Sequence, residues 1–346
     1  MFARFCPALT VATVLATTLT LACDDASSGS APGDLALREG PGQGGPVLNT
    51  STLLTSELAT VDTQGAALNG VALLDVELRD GAVYTSIDAG SLRVDHGTLV
   101  ALVQGTAFSG PAFAGSRWTF EVDGVEVVAH LMTVETADDA GLYDPSSPDD
   151  LRKLDPERFV YTFHWLDDTQ HPHVTCKEDA VGGARTVLYG DITVDHTLGE
   201  ITARADSIYF GCISGAVGKA ALWGYAPDSP SLTSVTLPDF ETATRAVRAD
   251  YCANGVSHTM IGNELTLADR WSINQHTVEN FTTEAVWSSG GGARCLRRIR
   301  KTGASLLAPF QCPGGALIPL CSNEANLKNR WATDSSYGVL WTKLPL

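Results

Sequence analysis

Basic residues are in short supply: 23 Lys and Arg stand against 40 Asp and Glu, a formal net charge of −17. So acidic a surface repels polyphosphate, which argues against nucleic acid as a partner and favours solubility. Beyond residue 22 no apolar run approaches the roughly 18 residues that a membrane-spanning helix needs. Familiar catalytic spacings are missing as well. There is no H-E-x-x-H, no C-x2-C pair and no G-x-S-x-G, since Ser214 in Gly211-Cys212-Ile213-Ser214-Gly215 is offset by one. No cofactor is implied by any motif.

The beginning of the chain is informative. Arg4 is the only charge in residues 1–22, and the uncharged stretch from Ala8 to Ala22, made of Leu, Val, Ala and Thr, has the length of a signal-peptide core. It ends in Leu19-Thr20-Leu21-Ala22-Cys23, which resembles the lipobox of bacterial lipoproteins, with Thr20 where Leu is commoner. On that resemblance residues 1–22 are removed and Cys23 becomes the lipid-bearing N-terminus, so that the chain meets the membrane only through its lipid. Residues 23–47, rich in Ser, Gly, Pro and Asp, then serve as a flexible tether holding the body outside the cytoplasm.

The remaining roughly 300 residues suffice for one large or two modest cores, given 44% apolar and 18% charged residues over the chain. Once Cys6 and Cys23 are set aside, Cys176, Cys212, Cys252, Cys295, Cys312 and Cys321 remain. An even number in an exported chain reads as three disulfides, with connectivity open. Pairing in order is the simplest expectation: Cys176 with Cys212, Cys252 with Cys295, and Cys312 with Cys321 across the Pro313-Gly314-Gly315 turn.

The fold class expected is mainly β. Residues 48–145 form an N-terminal β region of short apolar segments, among them Val71 to Leu78, Leu99 to Val103 and Val125 to Val134. Alternation in Trp118-Thr119-Phe120-Glu121-Val122 before Asp123-Gly124 reads as a hairpin. A five-residue recurrence, Leu68, Leu73, Leu78, Val83 and then Val103, Phe108, Phe113, Trp118, hints at a degenerate solenoid, and an irregular sheet is the alternative. After the turn-rich segment Asp138 to Asp155, strand-like runs recur at Phe159 to Trp165, Thr186 to Val194, Ile208 to Cys212, Ala220 to Tyr225, Leu265 to Leu267, Thr283 to Trp287 and Cys295 to Lys301. One short helix, about 239–250, is expected from Pro238-Asp239, the stripe Phe240, Ala243, Ala246, Val247, and late Arg245 and Arg248.

The ordered series Arg248-Ala249-Asp250-Tyr251-Cys252, Asn254-Gly255, Ser257-His258-Thr259, Gly262, Glu284-Ala285-x-Trp287 and Gly292-Ala293-Arg294-Cys295 resembles the ADYC domain, a family of bacterial lipoproteins named for Ala249 to Cys252. Upstream, Gly211-Cys212, Gly215-Ala216, Lys219 and Gly224-Tyr225-x-Pro227 fit the same pattern. The resemblance spans 155–325 and leaves 326–346 as a C-terminal extension. It implies a further cysteine pair, replaced here at Ala220 and within Thr242-Ala243-Thr244. It carries compartment and fold, and no activity.

Two clusters are candidates for chemistry. Asp250 and Tyr251, beside a disulfide-bonded Cys252, read as a packed corner, with an acid or base role as the rival. His164, His171 and His173, with Asp167 and Asp168 between them, are candidate zinc or copper ligands, with a polar hairpin loop as the rival. The basic run Arg294, Arg297, Arg298, Arg300 and Lys301 reads as a solvated strand face. Among Trp223, Trp271, Trp287, Trp331 and Trp341, any exposed ring is a candidate sugar platform. The function favoured is a non-catalytic envelope lipoprotein binding a protein or glycan; the alternative is an extracellular metal-dependent hydrolase using the three histidines. If the lipobox is used, Cys23→Ser will abolish labelling by radioactive palmitate and release the protein from the membrane fraction; a variant that stays membrane-bound and labelled rules out Cys23 as the acylation site.

Overall fold

The computed structural model describes residues 60–346 other than 147–149, 167, 168, 170, 260, 261 and 276–278. The signal and tether segments, Cys23, and Asp167, Asp168 and Gln170 of the histidine-rich run lie outside the described residues. The protein is mainly β. Eight strands come first: β1 (Thr60–Asp62), β2 (Val71–Asp80), β3 (Val83–Ser86), β4 (Arg93–Asp95), β5 (Thr98–Val103), β6 (Thr106–Ser109), β7 (Arg117–Val122) and β8 (Val125–Thr136). After the turn-rich segment come β9 (Phe159–Leu166), β10 (Pro172–Val174), β11 (Thr186–Val194) and β12 (Ile201–Cys212). The helices α1 (Ala216–Ala220) and α2 (Leu237–Arg248) follow, then β13 (Thr266–Asp269), β14 (Phe281–Trp287), β15 (Ala293–Leu296), β16 (Phe310–Gln311), β17 (Leu317–Ile318), α3 (Glu324–Thr333) and β18 (Leu340–Pro345).

A nine-stranded antiparallel sheet runs in the order β1-β12-β11-β9-β8-β7-β2-β3, with β10 added beside β9. β8 and β9 flank the turn-rich segment and pair directly, so this sheet draws on both halves of the chain. Strands β4, β5 and β6 form a separate small sheet packed against it. Residues 186–189 of β11 and 207–212 of β12 are buried on both faces. Leu188, Ile208 and Phe210 point into a core with Trp118, Phe120 and Phe163. Val187, Tyr189 and Tyr209 point into a second core with the helices and the C-terminal sheet. This double burial makes their sequences nearly continuous apolar runs.

The N-terminal region is an irregular antiparallel sheet rather than a solenoid. Its five-residue spacing has a local cause: the pairing of β2 with β7 slips between Leu73 and Asp75, a bulge that leaves Leu74 exposed and returns Val76 and Leu78 to the core face. The β7–β8 hairpin forms as expected, with Asp123 and Gly124 both at positive φ.

Helix α2 is capped by Thr236, whose hydroxyl accepts from the Asp239 amide, and ends at Ala249 in the left-handed conformation. Helices α1 and α3 were not anticipated: α1 ends at Ala220, a π-helical turn at Ala221–Tyr225 with Gly224 at positive φ replaces the expected strand Ala220 to Tyr225, and α3 lies in the expected extension. Ala220 and Ala243 are both buried in the core that α1 and α2 share. The last strand, β18, is an interior member of the four-stranded sheet β13-β18-β14-β15. Among the described residues no helix is long and apolar enough to cross a membrane.

Cys176 bonds to Cys212, as expected. The other two expected pairs are corrected, for the bonds are Cys252–Cys312 and Cys295–Cys321. A parallel bridge between Leu296 and Leu320 lays Cys321 beside Cys295. The Pro313-Gly314-Gly315 turn does form, but it closes the β16–β17 hairpin and leaves Cys312 facing Cys252. Non-reducing peptide mass spectrometry should recover these two crossed links, and replacing Cys252 and Cys312 together by Ala should cost about 2–5 kcal/mol in denaturant unfolding; linked peptides pairing Cys252 with Cys295 will refute the arrangement.

Candidate binding cleft

The Ala249 to Cys252 corner is sealed. Asp250 is fully buried, and its carboxylate accepts from the Asn254 amide at 3.1 Å, the Gly255 amide at 2.9 Å and Arg245 Nη1 at 2.9 Å. Arg245 also donates twice to Glu241 one helical turn earlier and once to Leu198 O. The Tyr251 hydroxyl donates to Glu284 Oε1 at 2.7 Å and accepts from the Arg300 amide at 2.9 Å. Arg300 grips Glu284 through two nitrogens, at 2.9 and 2.8 Å, and donates a third bond to Val247 O. Glu284 is 0% exposed and Arg300 1%.

Burial first, then the Glu284 charge, pushes the Tyr251 phenol well above its ordinary range, so it remains a protonated donor. His258 stacks on Tyr251 at 5.3 Å, and burial holds its imidazole below the ordinary value. Asp250, Tyr251 and His258 are thus gathered, but the acid and the phenol are spent on the fold's own donors and acceptors. The corner admits no bulk either: a Cβ on Gly292 would sit 2.2 Å from Tyr251 O, and one on Gly255 1.8 Å from Thr197 O. The basic run is correspondingly divided. Arg300 is buried in this network, Arg298 donates to Gly303 O and Pro345 O, Arg294 donates to Ser336 O, and Arg297 and Lys301 are exposed.

The histidine run is split by its strands. His173 pairs with Trp165 and stacks on its ring at 4.5 Å, whereas His164 pairs with Val174. Alternation therefore puts His164 and His173 on opposite faces of the β9–β10 ribbon. His171 shares a contact with Thr169, 2.7 Å from its Nδ1. Among the described residues no group of three or more His, Cys, Asp or Glu side chains could hold a metal ion. The strand partner of His164 is His130, a residue the sequence did not single out. Both line a hollow of about 350 Å³ with Arg79, Tyr84 and Met132, and burial lowers the pKa of both imidazoles.

The tryptophans lead to a larger site. Trp223 and Trp287 are fully buried and Trp341 nearly so, while Trp271 and Trp331 are half-buried. Trp331 packs 5.7 Å from Trp341, and Arg270 lies over it at 3.8 Å. These two rings wall a hollow of about 710 Å³ between the end of β13, the start of β14 and α3, within the roughly 300–1,000 Å³ usual for small-molecule sites. Its exposed rim carries Ser272, Gln275, Glu279, Asn280 and Lys328. A second hollow of about 390 Å³, walled by Trp271 and Tyr143, shares Ser272 and Gln275 with the first.

The floor is a buried polar network. Asp269 accepts from the amides of Trp271, Ile273 and Asn274 at 2.8, 3.1 and 2.6 Å and from the Tyr225 hydroxyl at 2.8 Å. Burial raises the Asp269 pKa against those four bonds. Asn274, 2% exposed, donates through Nδ2 to Trp223 O at 2.7 Å and to the Tyr225 oxygen at 3.0 Å. A main-chain carbonyl can only accept, so the nitrogen must face Trp223 and Asn274 Oδ1 must face the other way. That Oδ1 is buried and meets no donor among the described residues. On the opposite wall Lys343 Nζ pairs with Glu324 Oε1 at 2.6 Å and Thr283 donates to Oε2 at 2.6 Å. Burial works to raise the Glu324 pKa, and these two partners outweigh it and lower it. Nothing in the local sequence marked Asn274, Glu324 or Lys343 as neighbours, because they come from three elements far apart in the chain.

A family model, that of the ADYC domain, matches residues 110–302. No curated protein and no solved structure matches the chain.

The buried pair at the corner gives a sharp expectation for its role. Arg300→Met leaves Glu284 charged and uncompensated and should cost about 3–5 kcal/mol in denaturant unfolding. Adding Glu284→Gln to it should restore part of that loss; a single variant as stable as the parent would show the corner to be dispensable.

Proposed function

The chain belongs to the ADYC domain family, and we propose that it is a non-catalytic binding module, exported and held at the cell envelope by a lipid on Cys23. Three disulfides favour an oxidising compartment. The signal-like residues 1–22, the cysteine at 23 and the polar spacer to residue 47 favour a tether.

The observation that carries the binding role is the two-lobed hollow, built on a rigid floor with a buried acceptor left over. Its walls are held by the Glu324–Lys343 pair and the Asp269–Tyr225–Asn274 network, so ligand contact demands little reordering. The hydrolase alternative depends on His164, His171 and His173 acting together, and the strand geometry favours the binding module over it.

Gln275 is exposed and borders both lobes. The full chain carrying Cys23→Ser, so that no lipid contributes, should when purified oxidised bind isolated envelopes of the producing bacterium. Gln275→Trp should obstruct both lobes and weaken that binding at least about tenfold, or about 1.4 kcal/mol, with an unchanged melting temperature. Envelopes that do not retain the protein, or retain the variant equally, overturn the proposal.

A further inference from the structure

We infer that the cleft takes a neutral saccharide; this rests on the binding-module reading above and specifies its ligand. The argument begins at Asn274 Oδ1. Its network fixes it as an acceptor, so the ligand group that meets it must be a donor. An ionised carboxylate or phosphate has no proton to give and would set its lone pairs against those of the amide. A buried acceptor left without a donor costs about 1–3 kcal/mol, so the match selects strongly.

The charges around the hollow point the same way. Glu324 and Lys343 neutralise each other at 2.6 Å, the exposed rim adds one acid, Glu279, and one base, Lys328, and the remaining charged residues of the two linings are Asp269 in the floor of the first and Lys153 in the second, so acids and bases are equal in number. No single sign of charge dominates to hold an ion. The other rim groups, Ser272, Gln275 and Asn280, are hydroxyls and amides, each able to donate and accept. Sugar hydroxyls have the same dual character. The half-buried ring of Trp331 in one lobe and of Trp271 in the other offer apolar surface to the C–H face of a pyranose. Two neighbouring hollows that share Ser272 and Gln275 in their walls suit a chain of more than one sugar.

The test uses the same full-length oxidised protein on deproteinised envelope polysaccharide, immobilised before and after periodate oxidation, which opens sugar rings at vicinal diols. The protein should bind the untreated polysaccharide and lose at least about tenfold in affinity after periodate. Gln275→Ala, altered only at the exposed rim and at a position without a left-handed backbone, should weaken binding several-fold with no change in melting temperature. Binding that survives periodate overturns the inference. So does binding to intact envelopes, blocked by Gln275→Trp, that disappears when their proteins are digested; in that case the binding module stands and its ligand is a protein. Loss of binding to intact envelopes altogether would instead remove the reading on which the inference rests.

Discussion

The two-pronged grip of Arg300 on Glu284 is the constraint around which the C-terminal half is arranged. Glu284 belongs to β14 in the four-stranded sheet, and Arg300 carries the chain just past β15 back to the carbonyl of Val247 in α2. Strand, loop and helix are thereby fixed to one another in a region with no access to water. Two charges so deeply buried are tolerated because they pair through two parallel bonds and are hydrogen-bonded further, Glu284 to the Tyr251 hydroxyl and Arg300 to the Val247 carbonyl. The Ala249 to Cys252 motif owes its residue types to this arrangement. Ala249 turns the chain in the left-handed conformation, Asp250 ties the following loop to Arg245, Tyr251 completes the ionic pair, and Cys252 anchors the corner to the β16–β17 hairpin.

Much of this was legible in the sequence, and the limits are instructive. Helix α2 was visible because its Pro238-Asp239 start, its apolar stripe and its late arginines agree. The motif was visible as an ordered series, and its packed-corner reading accords with the bonds that Asp250 makes to Asn254 and Gly255. The Tyr251 phenol bonds to a glutamate 33 positions away, a partner that no local spacing indicates. Arg300 looked like one of several surface bases, since spacing along a strand cannot show that the chain leaves the strand and turns inward. Cysteine order misled for a related reason: sequence proximity favours neighbours, whereas the links follow a parallel bridge and a hairpin that only the assembled sheet supplies.

The histidine run shows the opposite failure. Three imidazoles close in sequence suggested a shared centre, yet a ribbon with a two-residue period sends neighbours to opposite faces. What His164 gains is His130 from the adjoining strand, a pairing fixed by register and invisible to local spacing. The cleft has the same character. Asn274, Glu324 and Trp331 come from a loop and a helix separated by 50 residues or more, and neither segment carries a motif. The tryptophans gave the only local sign of it, and most of them are core.

Strand β18 sits between β13 and β14, so the four-stranded sheet has its last-made strand in the interior. Residues 266–269 and 281–287 therefore have no common partner until residues 340–345 arrive. The sheet cannot grow in step with synthesis, and its apolar faces wait for the end of the chain. Until then the segments that will carry the cleft are open edges, the kind of surface on which chaperones act and aggregation begins.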